Sequence, residues 1–151
     1  MAAELDDVLW FVDVAYDGMV AIVSALGDDG ANERPLPGAN SPYCLLTHCL
    51  GVTEFWGGHA IAGRTIDRDR SSEFRAAGAV GPLLARVVDA RRQLTVDLEA
   101  YQVESPPRAA FDDDSLPVPM TQRGCLLHLY EELAQHHGQM QILRDVIVAV
   151  A

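Results

Sequence analysis

Apolar side chains return every three or four residues in four separate stretches of this chain, a period that helices satisfy and strands do not. In the first, Leu5, Val8, Leu9, Val12, Tyr16, Met19, Val23 and Leu26 mark one face. They predict a helix over residues 3–27, stopped by Gly27. "DDGANERPLPGANS" then has prolines, glycines and no period, and reads as a loop. Ser41 is placed to cap a second helix with Pro42 at its first position. Its stripe runs through Leu45, His48, Cys49, Val52, Phe55, Trp56 and His59 and ends at Gly63 and Arg64. Residues 65–79 are charged and predicted irregular, apart from a short turn around Phe74. A third helix is expected over 80–101, carrying Leu83, Leu84, Val87, Val88, Leu94, Leu98 and Tyr101, with Arg91 and Thr95 interrupting the stripe. "VESPPRAAFDDDSLPVPM" reads as loop with a short extended piece at Val118 and Met120, and a last helix occupies 121–150. Four such helices and no set of strands predict an all-α four-helix bundle, one domain over residues 1–151.

Charge narrows the partners. Eleven basic against 22 acidic residues give a formal net charge of −11, a field that repels phosphate backbones and anionic lipid heads. No nucleic-acid or membrane partner is expected. The first ten residues lack the order of a signal peptide, and no stretch reads as a membrane span, so the expected location is cytoplasmic. Cys44, Cys49 and Cys125 are odd in number and form no CxxC pair. They are expected to be buried without a disulfide or thiolate metal site.

The last helix holds the chemistry. In "EELAQHHGQMQILR", Glu132 and His136 lie one turn apart on the face of Met140 and Leu143, where a core should be. His128, one turn earlier, continues their line, whereas His137 should point away into solvent. Two ligands at i and i+4 can hold a metal ion if a third comes from elsewhere. His48, on the inner stripe of the second helix, is the best candidate. Two imidazoles and one carboxylate leave coordination positions open, the pattern of a catalytic zinc site, and the same ligands suit Fe(II), Ni(II) or Mn(II). The same spacing also describes an ordinary helix ion pair and a hydrogen-bonded core histidine. His59 lies too far along its helix to share the ion and is expected at the rim. Trp56, Tyr43 and Tyr130 are candidate wall residues, and Arg144 a candidate for steering an acidic ligand or a surface partner of Asp145.

Two stretches carry a resemblance. "EELAQHHGQMQILRD" is similar to the last-helix motif of the DinB/YfiT-like metalloenzyme superfamily, in which a ligand histidine is followed by any residue, Gly, and Gln or His, with another ligand four residues earlier. "LLTHCLGVTEFWGGHAIAGR" resembles that superfamily's second helix, with its ligand histidine followed by Glu and Trp. Glu132 at the earlier position is most similar to the branch that includes the N-terminal domain of mycothiol-dependent maleylpyruvate isomerase. The resemblance implies an up-down-down-up bundle and a divalent metal, zinc before nickel, iron or manganese, on His48, Glu132 and His136. It further implies a low-molecular-weight thiol cofactor such as mycothiol. Gln139 stands where many relatives have a second histidine and is not expected to be a ligand.

The expected activity is therefore a thiol-dependent S-transferase or isomerase, whose partners are a small-molecule thiol and an electrophile. A metal-dependent hydrolase and a metal-binding module without turnover are the alternatives. Phe11 and Val20, beside the inner stripe of the first helix, predict a homodimer.

Overall fold

The computed structural model of the protein describes residues 2–112 and 120–150, and the expected extended piece at Val118 lies outside them. Among the described residues there is no strand, and the fold is all-α. Helix α1 spans Ala2–Asn32, α2 Pro42–Thr53, α3 Arg70–Glu73, α4 Val80–Asp97 and α5 Gln122–Val150.

Helix α1 buries Val12, Tyr16, Met19 and Val23 of the stripe read from the period, together with Ala15 and Ile22, while Leu5, Val8, Leu9 and Leu26 pack partly buried against the core. Its end differs from expectation. Gly27 does break the helix, with φ 66° and ψ −174°, a conformation open to glycine, but helical backbone resumes to Asn32. That extra turn has a use. Asp28 Oδ1 accepts the Val80 N–H at 2.8 Å, where α4 has no side-chain cap of its own, and the Asn32 amide bonds Gly78 through both its oxygen and its nitrogen. By length and composition α1 is also apolar enough to cross a membrane, which the reading of the sequence missed. In the bundle its stripe faces the core, and Asp13 and Asp17 on its flank pair with Arg91 of α4.

Helix α2 starts as predicted: the Ser41 hydroxyl accepts the Cys44 N–H, and the Ser41 N–H bonds Cys44 Sγ, a capping box with sulfur in the place of a carboxylate. Beyond Thr53 the backbone widens into a π-helical segment, Glu54–Ile61, and Gly63 at φ 79° closes it. The apolar period predicts one α-helix here, and the π-helical turn departs from it. Gly57 in the widened turn lets Leu94 of α4 come close, since a Cβ there would lie 2.5 Å from Leu94 Cδ1.

Contacts between named residues give the helix directions. Phe11 meets Tyr130 and Gly18 lies against His137, so α1 and α5 run parallel. His48 meets Glu132 while Trp56 meets His128, so α2 opposes α5. Asp28 reaches Val80 and Asp17 reaches Arg91, so α1 opposes α4. The order is up, down, down, up.

Candidate metal centre

Three side chains from two helices converge at the α2–α5 interface. His48, 1% exposed, projects from α2; Glu132 and His136 project from consecutive turns of α5. His48 Nε2 is 3.2 Å and His136 Nε2 3.4 Å from the same oxygen, Glu132 Oε2, and the three ligand atoms lie within 4.8 Å of one another. Two donors each bound to one tetrahedral zinc at 2.0–2.1 Å stand about 3.3 Å apart, so the donor set fits such an ion. The two imidazole rings meet edge to face, with centroids 4.8 Å apart.

Each histidine is held from behind. His48 Nδ1 is 2.7 Å from Glu73 Oε2, and His136 Nδ1 is 2.7 Å from Gln139 Oε1. With Nδ1–H donated to these oxygens, Nε2 of each ring is the nitrogen left to face Glu132. Phe74 lies against the His48 ring at 4.6 Å between centroids. Glu73 and Gln139 were not foreseen in these roles. Gln139 was weighed only as a ligand, and the partner of Glu73 lies on another element 25 residues away, where no helical spacing points to it.

The electrostatics follow from these contacts. Hydrogen bonds from His136 and His48 outweigh partial burial and hold the Glu132 carboxyl far below the usual carboxylate range. Burial opposes a charge on His48, but its bonds to Glu132 and Glu73 prevail and raise its pKa above the ordinary histidine value. Burial would likewise raise Glu73, and His48 and Arg68 together bring it below the ordinary value.

The other singled-out residues separate clearly. His128 is half-buried beside the cluster, with Nε2 3.8 Å from Glu132 Oε1, Nδ1 3.3 Å from Glu131, and its ring edge-on to Trp56. Trp56 thus reaches His128, beside the cluster, and otherwise packs against Phe55 and Phe111. Tyr43 packs near Gly78 and Tyr130 against Phe11, away from the cluster. His59 lies with Nδ1 3.0 Å from the Arg64 carbonyl and Nε2 3.0 Å from the Ala110 carbonyl, between the π-helical segment and the loop before α5. His137, expected in solvent, instead packs into the α1–α5 interface. A Cβ on Gly18 would sit 2.1 Å from its Nε2, and this burial, with Arg144, lowers its pKa. Arg144 pairs with neighbouring Asp145 on the surface. The three cysteines are free and buried. One turn beyond His136, a cavity of about 220 Å³ is lined by Leu45, Gln139, Ile142, Leu143 and residues 38–40.

A family model described as mycothiol-S-transferase matches residues 7–149. No curated protein matches the chain.

Proposed function

Because the chain belongs to the mycothiol S-transferase family, a DinB-like family, we propose that it holds one divalent ion, zinc first, through His48, Glu132 and His136 and transfers a small-molecule thiol to an electrophile. The observation that carries this reading is the convergence of two histidine Nε2 atoms and one carboxylate oxygen, each histidine fixed through its other nitrogen. Bound there, such an ion supplies the Lewis acidity that keeps a thiol ionised at neutral pH.

The chain's own residues do the rest. His48 and His136 present neutral nitrogens and Glu132 one negative charge, so a 2+ site retains positive charge to attract an anionic sulfur. No thiol of the protein is placed to replace the exogenous one. Cys49, beside His48 in sequence, is fully buried, and burial together with the Glu132 and Glu73 charges pushes its thiol far above the usual cysteine value. The cavity beyond His136 is mostly aliphatic, and Ile142 on its wall is 65% exposed. An apolar electrophile would cover that side chain. On this reading the protein works in the cytoplasm as a homodimer.

Metal analysis after dialysis against zinc tests the ligand set. One zinc per chain is expected in the wild type, and none in His48→Ala, because two donors on one helix form a weak chelate. Full occupancy in that variant would refute the assignment.

A further inference from the structure

The connection between α2 and α4 is charged and short of apolar residues, yet it delivers a carboxylate into the core. Asp69 caps α3 through the Ser72 N–H, and the turn this starts carries Glu73 inward until it is 7% exposed. There its Oε2 meets His48 Nδ1 at 2.7 Å. Arg68 fixes it from the other side, with Nε 2.7 Å from Oε1 and a terminal nitrogen 2.9 Å from Oε2, while the Arg68 guanidinium lies over the Phe55 ring. The approach depends on Gly51 of α2. A Cβ there would stand 2.1 Å from Glu73 Oε1.

We propose that Glu73, clamped by Arg68, is a positioning residue of the metal centre: it accepts the hydrogen bond from His48 Nδ1–H, fixes the ring's tautomer and aims Nε2 at the ion. The inference rests on His48 being a ligand. Glu73 itself is not one, since it bonds the nitrogen on the far side of the ring and both its oxygens are engaged by Arg68. A carboxylate behind a ligand histidine also makes that ligand more basic, and loss of such partners typically costs about 10–100-fold in metal affinity.

Zinc affinity of the full chain, measured against a chromophoric chelator, tests this without any activity assay. Glu73→Ala is expected to bind about 10–100-fold more weakly. Glu73→Gln, whose amide oxygen accepts the same proton, should recover most of the loss. Gly51→Ala improves helix propensity but displaces the carboxylate, so it should weaken zinc binding as well. The zinc-loaded wild type should also show a downfield His48 Nδ1–H proton resonance that Glu73→Ala lacks. Glu73→Ala binding zinc within twofold of wild type overturns the proposal while leaving His48 as a ligand. If Glu73→Ala does not fold, unchanged affinity in Gly51→Ala overturns it equally. A wild type that binds no zinc removes the ligand assignment and this inference together.

Discussion

At the residue scale, Glu132 is the shared point of the site, with one oxygen facing both His48 and His136. Glu132→Gln keeps the shape but removes the charge, and should lose stoichiometric zinc while the far-UV circular dichroism stays helical. Zinc retention at one per chain would show that the carboxylate is not a ligand. The cysteines give a second check. Burial raises the Cys125 thiol to about 11 and Cys49 further, so both stay protonated and shielded at pH 8. A disulfide exchange reagent should therefore titrate none of the three buried thiols in the native protein and all three after unfolding. Fast labelling of the native chain would place a nucleophile of its own in play. The spacing of Glu132 and His136 was legible because i, i+4 contacts are local, and His48 because it sits on an apolar stripe. Glu73 was hidden among exposed charges, and the packing of His137 against Gly18 depends on a helix pairing that spacing along α5 does not reveal.

At the scale of elements, helix starts were more readable than helix interiors. Ser41 and Pro42 mark the start of α2 because capping uses residues three apart in the chain. Ser41→Ala should cost about 1 kcal/mol in urea denaturation, and no change would argue that the cap is redundant. The π-helical segment left no trace in the apolar pattern, since the widened turn still buries Trp56, Ala60 and Ile61. Gly27 was recognised as a break, but the turn after it was not, because Asp28 and Asn32 find their partners near residue 80. Gly27→Ala places a Cβ in a backbone region that side chains avoid, and should destabilise the protein by about 1–3 kcal/mol. An unchanged denaturation midpoint would mean that the kink relaxes freely.

At the scale of the molecule, four helices were countable from sequence, whereas their directions came from the family resemblance and are visible only in pairings such as Phe11 with Tyr130 and Asp28 with Val80. The expected dimer face is refined by exposure. Val20 packs partly into the core, while Trp10 is 61%, Phe11 46% and Val14 43% exposed on α1, with Leu127 exposed on α5. Light scattering should give a dimer mass that Phe11→Glu converts to monomer, and a monomeric wild type at micromolar concentration would contradict the homodimer. Transfer of an external thiol at the proposed metal centre is tested by the initial rate of electrophile consumption against mycothiol concentration in zinc-loaded protein, with His136→Ala as control. Saturable activation by thiol, absent from the control, is the predicted result. Turnover that needs no thiol and is inhibited by it would contradict the account and identify a hydrolase.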